Sequence, residues 1–213
     1  MNNFFMFLRC LLISFILTVA FNAAAQDNNV YEFKNFYQVD SFSENGLIWM
    51  RLYKSTLDSA IFYSNRYNDR GRLQSSMFVK NGRGNGPYYF YDTTGKIESR
   101  GFVKDGKHEG EWVSYFSNGK ISSIEYYQNN LENGEWIEFD SLGTITSKSY
   151  YKAGIKVGSW LIYNSRGIII ERQFYRNGKK EGIWLKYDNN GNLIRKNYYK
   201  NDVFLEAKKI TSK

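Results

Sequence analysis

Few residues in this sequence are of the types that carry catalysis. His108 is the only histidine, and Cys10 is the only cysteine. The positions 24 residues before and after His108 hold no histidine, so we interpret it as a surface turn residue. The remaining candidates are carboxylates that could in principle pair as general acid and base: Glu109, Glu111, Glu135 and Glu181. They fall at turns and strand starts with no pocket to separate their pKa values, so we expect no catalytic residue, cofactor or metal site.

The aromatic residues offer a different chemistry, because their rings can stack on sugars or grip a protein partner. One aromatic residue recurs every 24 residues, and the column holds our candidate binding residues: Tyr88, Trp112, Trp136, Trp160 and Trp184. The alternative is that these rings pack within the protein, where each indole N–H needs a hydrogen-bond acceptor. The column alone leaves both interpretations open.

Two series of glycines repeat with the same 24-residue spacing, and the elements that they mark must position those rings. The first series is Gly86, Gly110, Gly134, Gly158 and Gly182, and the second is Gly95, Gly119, Gly143, Gly167 and Gly191. A fixed period of this length is typical of an array of one supersecondary unit. We place the five copies at 78–101, 102–125, 126–149, 150–173 and 174–197.

Each copy is predicted to be a β-hairpin. Asp92-Thr-Thr-Gly95 and its equivalents end in a glycine that tolerates positive φ, and all but the copy with Phe116 begin with an Asp or Asn that can accept backbone N–H bonds. Between copies, pairs such as Asn81-Gly82 predict a second tight turn. Tyr, Trp, Ile, Val and Phe are frequent between the turns and favour strands. The alternation predicts a consistently apolar face, carrying Val113 and Tyr115, opposite the tryptophan column.

These hairpins predict an all-β fold, an elongated meandering antiparallel sheet in which like residues form rows. Two strands per copy advance the sheet by roughly 10 Å, so five copies span about 50 Å. We expect the array over 78–201, including the start of a sixth copy, and a charged C-terminal cap over 202–213. Residues 26–77 break the period, and their apolar runs at 31–37, 47–53 and 60–67 predict strands. This segment is either an N-terminal cap or degenerate repeat, or the specific binding part.

The pattern Gly-x-Trp-x-x-Tyr-x-x-x-Gly, followed by an aromatic pair, Lys, Asn or Asp and Gly, resembles the bacterial variant of the MORN repeat. The resemblance covers 78–201, and Tyr67, Gly71 and Leu73 suggest a partial copy before it. It implies one hairpin per repeat and a sheet used as an interaction surface. Members of this kind are often labelled antitoxin-like, and eukaryotic relatives are associated with membrane or protein scaffolding.

The N-terminus has the pattern of a secretory signal peptide. Arg9 precedes an apolar stretch from Cys10 to Phe21, and Ala23-Ala24-Ala25 offers small residues for cleavage. We expect a signal helix over 1–25, cleavage after Ala25 and export to the periplasm, outer surface or exterior. An uncleaved anchor or a lipoprotein are the alternatives. Cleavage would leave no cysteine and no stable membrane span.

The chain is basic, with 29 Lys and Arg against 21 Asp and Glu. Basic residues recur at a fixed repeat position near the inter-repeat turns, with Gln128 in one copy: Lys80, Lys104, Lys152, Arg176 and Lys200. These side chains are either a solvated edge that prevents strand pairing with other molecules, or a stripe for an anionic partner. Basic and aromatic residues also interleave in single-strand nucleic-acid binders, but export argues against that ligand.

We therefore predict an exported, non-catalytic module for protein interaction or scaffolding. The alternatives are binding of an anionic or carbohydrate envelope polymer through the Trp and Tyr rings, and an antitoxin-like component of a toxin–antitoxin pair.

Overall fold

A computed structural model describes residues 36–210, and every regular element among them is a β-strand. The predicted signal helix lies outside the described residues. The strands are β1 (Phe36–Phe42), β2 (Ile48–Ser55), β3 (Ile61–Tyr67), β4 (Leu73–Lys80), β5 (Arg83–Tyr91), β6 (Ile97–Lys104), β7 (Lys107–Tyr115), β8 (Ile121–Gln128), β9 (Leu131–Glu132), β10 (Gly134–Phe139), β11 (Ile145–Lys152), β12 (Ile155–Lys156), β13 (Gly158–Tyr163), β14 (Ile169–Arg176), β15 (Lys179–Lys180), β16 (Gly182–Tyr187), β17 (Leu193–Lys200) and β18 (Val203–Lys209).

The strands form one antiparallel meander, in which each strand pairs with its neighbour in sequence. The short strands β9, β12 and β15 are the beginnings of β10, β13 and β16, since each pair lies against the same preceding strand. The predicted all-β sheet of repeated hairpins is confirmed. β1 to β4 extend it as two further hairpins before the regular array. β2 and β3 lie where the apolar runs at 47–53 and 60–67 predict strands.

The turns at one edge of the sheet are built by their Asp or Asn residues. The Oδ1 of Asp92 accepts hydrogen bonds from the N–H groups of Thr94, at 2.8 Å, and Lys96, at 3.0 Å. Gly95 has φ of 86°, the conformation for which the sequence predicted a glycine. The same arrangement recurs at Asp140 and Asp188, whereas Phe116 in the second copy forms the backbone turn without a side-chain acceptor.

The turns at the other edge place two consecutive residues in the left-handed region, as a two-residue hairpin requires. Asn81 and Gly82 have φ of 52° and 71°, and the equivalent Asn177 and Gly178 have 50° and 79°. One copy departs from this chemistry, since Ala153 occupies the first position with φ of 48°. Alanine lacks the side-chain oxygen that helps Asn and Asp to adopt this conformation.

Replacing Ala153 with Asn is therefore expected to raise the free energy of unfolding by about 1 kcal/mol. The Ala153 N–H donates to Asn133 Oδ1 at 3.1 Å, a contact that the substitution leaves in place. Urea unfolding measures the change, and Asn177→Ala should show the reverse effect at the equivalent position. Equal stability of Ala153→Asn and the parent chain would contradict the assignment of strain to this turn.

The first glycine series marks a bulge in the strand that carries the tryptophan. Gly158 has φ of 68°, and the residue before it, Val157, donates its N–H to the Tyr150 carbonyl at 3.0 Å. A glycine in the left-handed region is the usual first residue of such a bulge. Gly86 differs from the rest of its series: its φ is not positive, and an added Cβ would lie 2.8 Å from Phe78.

Adjacent copies are tied together at both edges. At the left-handed turns, Gly106 N–H donates to the Gly84 carbonyl at 2.8 Å, and Gly178 N–H to the Lys156 carbonyl at 2.9 Å. At the other edge, the Lys120 ammonium donates to the Leu142 carbonyl at 2.7 Å. Each hairpin is thus held by the next one as well as by its own ladder, which fixes the register of the array.

Burial is shallow, because all the described strands belong to a single sheet. No side chain in the described part is less than 2% exposed, and the buried apolar residues concentrate between Ile61 and Val113. The expectation of a consistently apolar face is wrong. Ile137 and Leu161 lie on that face, but Lys148 is paired with both of them from β11. The prediction considered the tryptophan-bearing strands and not the strands between them.

Candidate functional site

The tryptophan column lies on one face of the sheet and forms part of a longer row of rings. From Tyr127 onwards, the second residue of each aromatic pair lies beside the tryptophans of the adjacent strands. We call this row the aromatic ladder, and its members are Tyr88, Trp112, Tyr127, Trp136, Tyr151, Trp160, Tyr175, Trp184 and Tyr199. The structure therefore brings together every ring that the sequence singled out for binding.

The rings of the aromatic ladder pack against one another at a nearly constant distance. From Tyr127 to Tyr199, neighbouring ring centroids are 4.8 to 5.6 Å apart and the ring planes meet at 46 to 59°. Aromatic pairs favour such tilted or edge-to-face contacts over a face-to-face sandwich. The ladder is therefore a continuous packed surface, and its rings do not stand as separate flat platforms.

Three of the four tryptophans in the aromatic ladder have their indole N–H groups satisfied in the same way. Trp136, Trp160 and Trp184 donate to the carbonyl ten residues earlier, at 3.3, 3.3 and 3.1 Å. That carbonyl belongs to the first residue of the aromatic pair, which lies opposite the bulge of the tryptophan-bearing strand. The hydrogen bond fixes the orientation of each tryptophan, so that the indole lies along the sheet with one edge towards solvent.

Trp112 departs from that arrangement. Its Nε1 is buried without a hydrogen-bond partner, and the side chain is 7% exposed. The ring lies over Gly101, where an added Cβ would be 2.2 Å from Trp112 Cδ2. The positions equivalent to Gly101 carry side chains in the later copies, such as Ser149 and Gln173. The absence of a side chain at Gly101 thus permits Trp112 to lie flat on the sheet.

A second column lies over the tryptophan faces, on the short strand before each bulge. His108 stacks on Trp112 with centroids 3.8 Å apart and planes at 24°. Lys156 and Lys180 place their ammonium groups 4.2 and 4.7 Å from the centroids of Trp160 and Trp184. These are cation–π contacts. The interpretation of His108 as a surface turn residue is therefore wrong: it is a half-buried strand residue that covers a ring.

Trp136 is the exception, because Glu132 occupies the covering position in its copy. Trp136 is half-buried, as are Trp160 and Tyr88, whereas Trp184, 6% exposed, is as buried as Trp112. The tryptophans in the middle of the aromatic ladder are accordingly more open to a ligand than Trp112 and Trp184. The sequence-predicted site residues thus divide into two packed anchors and three partly accessible rings.

Polar groups beside the rings are mostly engaged. Tyr127 donates its hydroxyl to Glu125 Oε2 at 2.9 Å, and Ser123 donates to Glu125 Oε1 at 3.0 Å. Burial, reinforced by the Glu125 carboxylate, raises the pKa of Tyr127, so its phenol stays neutral. The sequence reasoning missed Tyr127, Tyr151, Tyr175 and Tyr199 as members of the site. The signal was the recurring aromatic pair, whose second residue falls on the tryptophan face once antiparallel pairing is applied.

Burial lowers the pKa of His108 below its ordinary value, opposed in part by Glu125. The unfolded chain then binds a proton at a higher pH than the folded chain, so the free energy of unfolding should fall as the pH drops through about 6.5. His108→Phe keeps an aromatic ring over Trp112 and removes the titration. Urea unfolding on either side of that pH should show that the free energy of unfolding falls more in the parent chain than in the variant as the pH is lowered. Matching losses in the two chains would contradict this contribution.

Other site chemistry is not evident among residues 36–210. In this range no cluster of three or more His, Cys, Asp and Glu side chains is arranged to hold a metal ion. No helix within the same range is long and apolar enough to cross a bilayer. The carboxylates considered as acid–base pairs take structural roles: Glu111 and Glu135 accept hydrogen bonds from Tyr126 and Tyr150, at 2.9 and 2.8 Å.

Comparison with known proteins gives one family. A family model described as MORN repeat variant matches residues 85–105, 109–129, 132–153 and 180–201. No curated protein sequence matches the chain. Among solved structures, the crystal structure of TarM is similar over 54% of this chain and 24% of TarM, with 10% identity and a TM-score of 0.32. At that level the similarity to TarM bears on neither fold nor function.

Proposed function

Because the hairpin array across residues 85–201 belongs to the MORN repeat variant family, we propose that the chain is an exported, non-catalytic module that binds a protein through its aromatic ladder. Repeats of this family are in general protein- or membrane-interaction modules and not catalysts. Export is supported by the charged, apolar and small-residue pattern of residues 1–25.

The coverage of the tryptophan faces is the observation that favours a protein over a sugar. Stacking on a sugar needs an open ring face, but His108, Lys156 and Lys180 cover those of three tryptophans. The tilted neighbours cover more of each ring. What remains accessible is a row of ring edges, hydroxyls and lysine stems. A mixed surface of Trp, Tyr and cations resembles the composition enriched at protein interfaces.

The middle of the aromatic ladder is the proposed centre of the contact. Trp136, Tyr151 and Trp160 are half-buried, and the centroid of Tyr151 lies 4.9 Å from that of Trp136 and 5.4 Å from that of Trp160. Partly exposed aromatic side chains that are already ordered lose little conformational entropy on binding. Large rings near the centre of an interface are also the side chains whose removal costs most. We therefore place the strongest contacts at these three residues.

A carbohydrate ligand remains the second candidate on one observation. Trp136 carries Glu132 in the covering position instead of a cation. One ring face beside a carboxylate acceptor is the arrangement that a sugar with its hydroxyls would use. Such a ligand would depend on Trp136 far more than on Trp160, whereas a protein partner would depend on both.

The experiment is capture from envelope extracts with the purified chain. We compare the parent with Trp136→Ala, Trp160→Ala and the control Leu161→Ala, which changes the opposite face. The proposal expects a protein that is retained by the parent and the control and reduced at least tenfold by each tryptophan change. Retention by all four chains would contradict the assignment to the aromatic ladder. Polysaccharide binding lost only in Trp136→Ala would favour the carbohydrate candidate.

A further inference from the structure

A single row of paired residues crosses the face opposite the aromatic ladder. The pairings that define it run from β6 to β18 through Arg100, Val113, Ile124, Ile137, Lys148, Leu161, Arg172, Leu185, Lys196 and Lys208. Towards the C-terminus the row alternates a cation with an aliphatic residue. From Lys148 to Lys196 the cations come from every second strand and are spaced by roughly 10 Å, and Lys208 lies on the strand next to Lys196.

A second row of cations lies on the same face, four residues further along each strand. It is formed by Lys152, Arg176 and Lys200, all exposed. At about 3.3 Å per residue the two rows are roughly 13 Å apart. Between them lies a row of half-buried or exposed rings: Tyr150, Phe174 and Tyr198. We call the two rows and the rings between them the cationic grid.

The cations of this grid are largely without counter-charges. From β11 to β18, two cations of the grid form ion pairs with described residues: Lys148 with Glu135, at 3.6 Å, and Lys208 with Glu206, at 3.3 Å. These two pairs lie at the ends of the stretch from β11 to β18, and the cations between them make no ion pair with another described residue. A further acid, Glu181, is engaged at the turn, where it accepts the Asn201 N–H at 3.0 Å.

Cations on both faces contact rings, Lys208 lying 5.3 Å from the Tyr198 centroid on the grid face, but the arginines of the grid do not. On the ladder face, Lys156 and Lys180 lie over tryptophan rings of the same copy. On the opposite face, Arg172 and Arg176 extend from one strand without a partner carboxylate in the described part of the chain. At physiological salt, charges about 10 Å apart repel weakly because the Debye length is about 8 Å. The rows are thus tolerated in the free protein and available to an anionic ligand.

We propose that the cationic grid binds a linear polyanion that lies across the strands. A chain running along either row would meet a cation every second strand, and Arg172 and Arg176 could each hold a phosphate or carboxylate in bidentate fashion. From β11 to β18 the row covers five strand spacings, about 24 Å. Affinity should therefore rise with the length of the polyanion until it spans the row, as expected for multivalent binding.

The shape of the sheet favours a flexible polymer over a flat membrane. Neighbouring strands rotate by roughly 20 to 25°, so five steps accumulate a twist of about 100°. A planar bilayer can touch only a few members of a surface twisted this far, whereas a flexible chain can follow a row. Exposed aliphatic residues on this part of the face are Ile183, between the rows, and Ile155 and Val203, beside Lys152 and Lys200 of the second row.

The test uses the full chain with orthophosphate, tripolyphosphate and long-chain polyphosphate as probes. The grid variant combines Arg172→Gln and Lys196→Gln in one chain. A charge-matched control on the ladder face combines Lys186→Gln and Arg195→Gln. We expect binding of the long chain at least tenfold tighter than that of tripolyphosphate. The grid variant should lose about tenfold in affinity for the long chain, and the slope of its log affinity against log salt concentration should become shallower by about two units. The control should keep the affinity and the slope of the parent chain.

Equal losses in the two double variants would overturn the grid, because they would show a response to net charge alone. So would affinity independent of chain length, or binding to vesicles rich in anionic lipid without binding to polyphosphate. The proposal is separable from the protein-binding function of the aromatic ladder. Trp136→Ala and Trp160→Ala should leave polyphosphate binding unchanged, and the grid variant should still capture the protein partner.

Discussion

Gly101→Val is expected to lower the free energy of unfolding by about 2 to 3 kcal/mol, the upper range for overpacking. The reason is the close approach of Trp112, whose Cδ2 would lie 2.2 Å from the new Cβ. The atoms in the way belong to a rigid indole that is held by His108 and by the sheet, so the ring must leave its place. Urea unfolding measures the loss, and Trp fluorescence reports the displaced indole.

Gln173→Val provides the matched control, because Gln173 precedes Trp184 by eleven residues, as Gly101 precedes Trp112, but already carries a side chain. It should change stability by less than 1 kcal/mol, the usual limit for a surface or half-buried substitution. Trp112→Ala combined with Gly101→Val should cost less than the sum of the two changes, since the indole is no longer there to clash. Unchanged stability of Gly101→Val would show that Trp112 does not occupy the described position.

Trp184→Ala is expected to cost about 3 to 5 kcal/mol, as for other buried tryptophans. Its ring contacts Tyr175 and Tyr199 at centroid distances of 5.4 and 4.8 Å, and its N–H is bonded to the Phe174 carbonyl. Trp136→Ala removes an equivalent but half-buried ring and should cost clearly less. Urea unfolding of the two variants provides the comparison.

The loss in Trp184→Ala should also be local. In a repeat array each unit contacts only its neighbours, so stability is transmitted from one interface to the next. Amide hydrogen exchange should therefore accelerate in β14 to β18 and remain close to that of the parent in β3 to β7. Uniform acceleration across the sheet would indicate a single cooperative unit instead of an array. Equal costs for Trp136→Ala and Trp184→Ala would contradict the described difference in burial.

The hairpin array could be predicted because its determinants are local. Asp92 and Gly95 specify one turn through a side-chain acceptor and a positive φ, and Asn81-Gly82 specifies the next. Repeating both turns every 24 residues leaves an antiparallel meander as the only arrangement that keeps each strand short and adjacent to the next. The candidate rings on one face followed from the period of two residues in a strand.

The composition of the faces could not be predicted from one strand at a time. Lys148 lies between Ile137 and Leu161 only because of the register in two successive strand pairs. The bulge at Gly134 and the turn at Gly143 together determine that register. The stack of His108 on Trp112 also depends on a tertiary detail, the empty space above Gly101. The signal-peptide prediction concerns residues outside the described range and stays a prediction.

Photo-cross-linking in the cell tests most directly whether recognition takes place on the aromatic ladder. Benzoylphenylalanine replaces one ring at a time: Tyr151 or Tyr175 on the ladder, and Tyr163 on the opposite face as the aromatic control. The account predicts an adduct with the same protein from Tyr151 and Tyr175 and none from Tyr163. An adduct from Tyr163 alone would place the partner on the other face and contradict the proposed function.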